Sequence, residues 1–316
     1  MTSGHEESGE LPGQVPVVEP TVSSVAELVD RKEGRTISVC LPACNEAATV
    51  GPIVSRIVDG LLGTSLVDEV IVLDDGSTDA TAVIAAAAGA QVTQVADVLT
   101  SEPPGRGKGN VLWRSLAASS GDLIVWCDTD LLSFTTSYVT RLVAPLLNDP
   151  DLGLVKAFYE RVADADGHGG GRTTELVARP LLSMFFPPLA TLRQPLGGEA
   201  AGTRALLEQL PFVESYGVES AMLIDTYRRC GLRGMAQVDL GERRQRHRDL
   251  LTLSEQASEI LAVVLARAGM PVPQPVPPLI NQRGQSRPVH LAERPPMIEI
   301  AEYRERRCSG SRMFGQ

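Results

Sequence analysis

Two carboxylates one residue apart, Asp128 and Asp130, close the apolar run Leu123-Ile124-Val125-Trp126-Cys127. A buried strand ending this way presents both acids at its carboxyl end, where open α/β sheets bind ligands. Oxygen donors of this kind suit a hard divalent cation, and such a cation suits a diphosphate. An acidic turn after a strand is the plain alternative, since Asp is common in turns. Three further clusters bear on the choice. Leu41-Pro42-Ala43-Cys44-Asn45-Glu46 places a fixed turn, a capping residue and a hydrogen-bonding acid directly after an earlier strand. Leu73-Asp74-Asp75-Gly76-Ser77-Thr78-Asp79 crowds three acids into six residues, more than a capped turn needs, and ribose hydroxyls or a base N–H would explain at least one. Gly105-Arg106-Gly107-Lys108-Gly109-Asn110 offers a glycine-lined backbone, a point charge and a helix amino terminus to a phosphate. The spacing is not that of a Walker loop.

These clusters need a scaffold, and apolar periodicity supplies one. Strands are expected at 37–41, 69–73, 91–95, 123–127 and 153–159. Helices alternate with them: Asn45 caps one running to about residue 62, Ser77 caps one over 78–88, and others cover 108–119 and 138–147. Strands of four to six apolar residues separated by helices make βαβ units and a mainly parallel sheet. The rhythm then changes: a Gly-rich loop at 165–172, helices at 173–185, 203–209, 218–230 and 253–268, and a strand-like stretch at 234–240. Residues 1–23 are expected to be a disordered lead-in and 271–316 an extended Pro-rich tail, bracketing a first α/β domain (24–160) and a second, helical part (161–270).

Composition narrows the function classes. The 316 residues are 43% hydrophobic and 22% charged, ordinary values for a globular chain with a sizeable core. A net charge of −10 argues against coating nucleic acid. No apolar run approaches the roughly 18–20 residues that span a bilayer. Five scattered cysteines, without paired metal-site spacing, fit reduced thiols in the cytoplasm. Lysine occurs three times, at Lys32, Lys108 and Lys156, against 26 arginines, so the isolated Lys108 stands out. Trp113 and Trp126 read as core, His5, His168 and His290 as solvated. Arg243, Arg244, Arg246 and Arg248 read equally as charged surface or as cations for a diphosphate pocket.

Taken in order, the four clusters resemble the nucleotide-binding half of a retaining, metal-dependent glycosyltransferase of the GT-A fold. Downstream, Gly169-Gly170-Gly171-Arg172-Thr173-Thr174-Glu175-Leu176, Gln194-Pro195-Leu196-Gly197-Gly198-Glu199, Tyr216-Gly217-Val218-Glu219 and Gln237-Val238-Asp239-Leu240-Gly241 are similar to motifs of the glucosyl-3-phosphoglycerate synthases of actinobacteria. The likeness runs from about residue 24 to 270, and Arg294-Pro295-Pro296-Met297 adds to it. It implies transfer of glucose from UDP-glucose to the 2-hydroxyl of 3-phosphoglycerate with retention, by a cytoplasmic homodimer that is not inserted in a membrane. By the same resemblance Pro42, Ala43, Cys44, Asn45 and Glu46 hold the uridine with Asp74 or Asp75, and Lys108 contacts the donor. Asp128 anchors the sugar side, Asp130 ligates Mg²⁺ or Mn²⁺, and Glu219 binds glucose hydroxyls. Gly171, Arg172 and Thr174, with Tyr216 and His247 nearby, cradle 3-phosphoglycerate. The family's metal-binding His is replaced by Gln245, leaving His247 or Gln245 to complete the metal site, and a Tyr expected near position 200 is missing. Mannosyl transfer from GDP-mannose, a polyprenyl phosphate acceptor and a non-catalytic nucleotide-sugar-binding protein are the competing readings.

Overall fold

A computed structural model describes residues 13–19, 24–161, 171–243 and 250–309. Strands β1 (Ile37–Ala43), β2 (Glu69–Asp74), β3 (Gln91–Gln94), β4 (Leu123–Trp126), β5 (Leu154–Arg161), β6 (Ala200–Thr203) and β8 (Met235–Arg243) form one seven-stranded sheet in the order β3-β2-β1-β4-β6-β5-β8. A two-residue β7 (Phe212–Val213) lies outside it. Pairing is parallel throughout except at β6, which runs antiparallel to both β4 and β5.

Alternation along the strands explains why they read as continuous apolar runs. Val39, Leu41, Val72 and Val125 face one core, and Cys40, Ile71, Leu73, Ile124 and Trp126 face another. Both faces of the sheet are therefore covered. Helices α1 (Val25–Arg31), α2 (Val50–Ile57) and α5 (Ser137–Asn148) contribute Leu28, Ile53, Val139 and Leu142 to the first core. On the other face pack α4 (Gly107–Ala118), α6 (Arg179–Phe185), α8 (Val218–Cys230) and α9 (Leu250–Arg267). Two shorter helices, α3 (Thr81–Ala87) and α7 (Arg204–Leu207), come after β2 and β6. Trp113 and Trp126 are fully buried, as expected of core residues.

Several local expectations are corrected. Asn45 has φ +59 and Ser77 is not at a helix start, so neither caps a helix. Asn45 instead accepts from the Thr78 amide (2.9 Å) and hydroxyl (3.1 Å), and its own amide donates to Ser77 Oγ (2.9 Å). Asn tolerates the left-handed region, so this residue latches the loop after β1 to the loop after β2. Strand β6 replaces part of the loop expected before the helix near 203. The lead-in is ordered around residue 17: the Gln237 carbonyl accepts from the Val18 amide at 2.9 Å, the Gln237 amide donates to the Pro16 carbonyl at 2.8 Å, and Val15 is buried. Residues 1–12 and 20–23 lie outside the described set. The tail is not simply extended either. A hairpin of β9 (Leu279–Ile280) and β10 (Ser286–Arg287) precedes β11 (Glu293–Arg294), which pairs with β7, and α10 (Ala301–Ser309) comes last. Met297, Ile300 and Tyr303 are buried in the core. Among the described residues no helix is long and apolar enough to cross a membrane.

Candidate active site

The strand order reverses between β1 and β4, and a crevice at the carboxyl ends of strands forms at such a switch point. Here it is a cavity of about 510 Å³. The end of β1 lends it Pro42, Ala43, Cys44 and Glu46, and the end of β4 lends it Asp128 to Asp130. Thr129 Oγ1 donates to the Pro42 carbonyl at 2.7 Å and ties the two strand ends together. Asp75 lines the cavity; its pKa is raised by burial and then by Asp74. Asp74 does not line it. Its carboxylate accepts from the Ser77 amide (3.1 Å) and Gln94 Nε2 (2.7 Å), which shapes the turn.

Helix α4 begins at Gly107, whose φ of +66 and 2.8 Å clearance between a would-be Cβ and Ser215 Cα demand glycine. Its open first turn faces the cavity together with Lys108. Gly109 has a different reason: a Cβ there would lie 1.9 Å from the Val213 carbonyl oxygen. The glycine run is thus partly a packing device rather than a ligand path throughout. Helix α8 brings Glu219 in its first turn, where the helix dipole favours an acid. Lys108 Nζ lies 2.7 Å from Asp128 and 3.0 Å from Glu219. Burial alone would lower the pKa of Lys108, but Asp128 and then Glu219 raise it well above its ordinary value.

Arg243, at the end of β8, is the charged centre that sequence reasoning left undecided. It is 4% exposed. One nitrogen reaches Glu199 (2.5 Å) and the Tyr159 hydroxyl (2.7 Å), and the other lies 3.0 Å from Asp128 and 3.5 Å from Asp130. Burial opposes its charge, but Glu199, Tyr159 and the two aspartates hold it firmly protonated. Burial also pushes Asp128 up, yet Lys108 and Arg243 outweigh it and keep the carboxyl below its usual range. Gly198 is obligatory beside this group, since a Cβ would fall 2.2 Å from the Asp128 carboxylate. Buried Lys156 donates to the Gly197 carbonyl and secures that turn; burial lowers its pKa to about 8.

The remaining lining comes from β5 and the segment entering α6. Tyr159, Arg161, Gly171, Arg172, Thr173 and Thr174 belong to it. Gly171 has φ +98, and Thr174 opens a π-helical turn, Thr174–Ala178, that continues into α6. Arg161 lies over the Tyr159 ring at 5.2 Å. Tyr216 also lines the cavity, with its amide held by Glu259 at 3.0 Å. Asn45 and Asp74 are thus the expected donor residues that serve the loops, whereas Tyr159, Arg161, Leu196 and Gly198 line the cavity although no motif pointed to them as ligands, and Arg243 lines it in keeping with one of the two readings of the arginine run. The signal for Arg243 was the arginine-rich run that begins there, weighed both as surface and as cations for a diphosphate pocket. Gln245, His247, Arg244, Arg246, Arg248 and the loop at 165–170 lie outside the described residues, as does His168.

Among the described residues no group of three or more His, Cys, Asp or Glu could hold a metal. A divalent cation such as Mg²⁺ or Mn²⁺ would call on a hard oxygen donor in this cavity. Asp130, a hard oxygen donor in the cavity wall, suits that role.

Fold and cavity together define a nucleotide-sugar transferase of the GT-A type. Residues 38–206 match Glycosyl transferase family 2. A glucosyl-3-phosphoglycerate synthase from Mycolicibacterium smegmatis is 52% identical over 251 residues, spanning 78% of this chain and 82% of the relative. The crystal structure of glucosyl-3-phosphoglycerate synthase from Mycobacterium tuberculosis with Mn²⁺, UDP-glucose and phosphoglyceric acid superposes with a TM-score of 0.84 at 45% identity, covering 92% of this chain and 99% of that one. A second structure of that enzyme, with Mn²⁺, UDP and glucosyl-3-phosphoglycerate, gives 0.83 at 44% identity over 91% and 99%. The chain belongs to glycosyl transferase family 2 and, within it, to the glucosyl-3-phosphoglycerate synthases.

Proposed function

We propose that this protein transfers glucose from UDP-glucose to the 2-hydroxyl of 3-phosphoglycerate, keeping the α-configuration. The observation that carries this reading is the cavity's division of charge: five carboxylates at the strand and helix ends, and Arg161 and Arg172 beside the Gly171 turn. The first region suits a cation-bridged diphosphate and sugar hydroxyls, the second a phosphorylated carboxylate. Pro42 to Cys44, Glu46 and Asp75 hold the uridine. Lys108 faces the diphosphate, Glu219 takes glucose hydroxyls, and Asp130 holds the divalent cation. When bound, that cation supplies positive charge to the departing diphosphate. Arg172, with Gly171 and Thr174, grips the acceptor; a planar fork of donors matches its oxyanions.

Asp128 and Glu219 are ion-paired to Lys108, which suits electrostatic support better than nucleophilic attack. The acceptor hydroxyl therefore attacks the anomeric carbon from the face that UDP leaves. The carbon–oxygen bond to the diphosphate breaks, the new glycosidic bond forms, and the hydroxyl proton passes to the departing phosphate oxygen. Lys108 stabilises the charge developing there. The reading places the enzyme in the cytoplasm, where thiols such as Cys40, Cys44, Cys127 and Cys230, all free, stay reduced. It includes a homodimer, to be checked by sedimentation equilibrium. The decisive assay supplies UDP-glucose or GDP-mannose with 3-phosphoglycerate, with and without EDTA. Metal-dependent formation of glucosyl-3-phosphoglycerate is expected; mannosyl product, or nucleotide binding without turnover across Mg²⁺, Mn²⁺ and Co²⁺, would overturn the reading.

A further inference from the structure

Arg294 is a buried cation outside the cavity that the proposed reaction does not use. It sits on β11, 6% exposed, in the tail. Its Nε lies 2.9 Å from Glu214, which is itself buried. Another of its nitrogens donates to the Pro103 carbonyl at 2.8 Å, an oxygen that Arg114 also reaches at 3.0 Å. The two anchor points matter because each opens the approach to a helix that carries a cavity residue. Pro103 leads through Gly105 to Gly107 and Lys108, the start of α4. Glu214 leads through Ser215, with φ +61, to Val218 and Glu219, the start of α8. Lys108 and Glu219 then meet at 3.0 Å in the cavity.

The surrounding contacts brace the same junction. The Glu214 amide donates to the Ala292 carbonyl (2.9 Å), and the Ser215 amide to that of Arg106 (3.3 Å). Trp113 of α4 donates its indole N–H to the Pro295 carbonyl at 2.8 Å, and the Arg294 guanidinium lies 5.3 Å from the Trp113 ring centroid. A Cβ at Gly105 would fall 2.1 Å from Arg294, so the turn before α4 is moulded on this side chain.

We propose that Arg294 is a positioning residue: by joining the approach to α4 with the approach to α8, it sets the Lys108–Glu219 pair for the donor. The inference rests on the reading that Lys108 engages the donor diphosphate. A residue acting through another shows coupling when both are changed, whereas independent support of the fold gives additive losses.

The test uses the full chain carrying Lys108→Met, Arg294→Met, Arg294→Lys and the double change Lys108→Met with Arg294→Met. Steady-state rates for both substrates are measured below each variant's unfolding midpoint. Lys108→Met is expected to lower kcat by at least ~100-fold, the scale of losing one preorganised electrostatic group. Arg294→Met is expected to cost roughly tenfold in kcat/KM for UDP-glucose, near the scale of a lost charge-assisted hydrogen bond, with a smaller change in KM for 3-phosphoglycerate. Arg294→Lys should recover part of that loss. In the Lys108→Met background, Arg294→Met should cost less than about twofold. Where Arg294→Met does not fold, Arg294→Lys is compared in both backgrounds. Equal losses in the two backgrounds, or no loss in the parent, would overturn the positioning role while leaving Lys108 in place. Unchanged turnover in Lys108→Met would instead overturn the reading of Lys108, and the inference with it.

Discussion

The lining at the strand and helix ends carries Glu46, Asp75, Asp128, Asp130 and Glu219, whereas the stretch from Tyr159 through Arg161 to Thr174 contributes no carboxylate at all among the described residues. In the first region part of the charge is matched within the protein. Lys108 spans Asp128 and Glu219, and Arg243 spans Asp128, Asp130 and Glu199, at 2.5–3.5 Å. The second region presents the guanidinium groups of Arg161, at the end of β5, and Arg172, next to Gly171. On the proposed function, one cavity holds two anions by two means: by fixed counter-charges with a metal for the diphosphate, and by forked donors for the acceptor. Mutations in the two regions should therefore separate stability and turnover from acceptor affinity.

The largest effect should come from Arg243→Met, which strands the fully buried Glu199. Breaking one partner of a buried pair costs about 3–5 kcal/mol, to be read as a lowered urea midpoint. A loss below about 1 kcal/mol would mean that the first region is not internally matched. Next, Asp130→Ala should cut turnover by at least ~100-fold, and EDTA should silence the parent enzyme; both are expected if a single cation supplies several kcal/mol. Retained activity in Asp130→Ala would remove the metal from this aspartate. Arg172→Ala should raise KM for 3-phosphoglycerate by about tenfold or more, on the scale of a hydrogen bond to a charged group, and leave that for UDP-glucose nearly unchanged. Equal changes in the two constants would dissolve the distinction between the regions.

Smaller effects sharpen it further. Asn45→Ala should cost about 1–3 kcal/mol of stability by losing the Thr78 hydrogen bonds and straining a left-handed residue, with less change in donor affinity than Cys44 or Glu46 substitutions produce. Calorimetry with UDP distinguishes the two outcomes. The least effect is expected from acidification. A carboxylate whose folded pKa is depressed, as at Asp128, contributes stability above its unfolded value near ~3.9, and that contribution is lost as pH falls through the lower folded value. The parent should therefore weaken below about pH 4, and Asp128→Asn should weaken less over the same interval in urea titrations.

How much of the molecule was legible depended on the range of the interaction. Strands β1, β2 and β4 announce themselves because both faces are apolar, so Val, Ile and Leu run with little interruption. The cavity acids are then located by where those strands stop. By contrast, β6 is Ala200-Ala201-Gly202-Thr203, with little intrinsic strand preference; it is a strand because β4 and β5 hold it from both sides. Asn45 and Ser77 carry capping chemistry, but each spends it on the other's loop, a pairing 32 residues apart that local pattern cannot display. The same holds for Arg243: a run of arginines reads equally as surface or as diphosphate cations until the fold brings Glu199 and Asp128 around one of them. Gly109 and Gly198 look like ligand-binding glycines, yet the nearest atoms to a Cβ there belong to Val213 and Asp128.

The short stretch around Val17 has a practical consequence for handling the protein. It pairs with the main chain of Gln237 on the outer rim of β8, the last strand of the sheet. A shortened chain beginning at residue 24 would lay that rim bare, and naked sheet margins recruit other copies. Trimming this end to obtain a tidier sample would thus invite clumping, for reasons unrelated to catalysis.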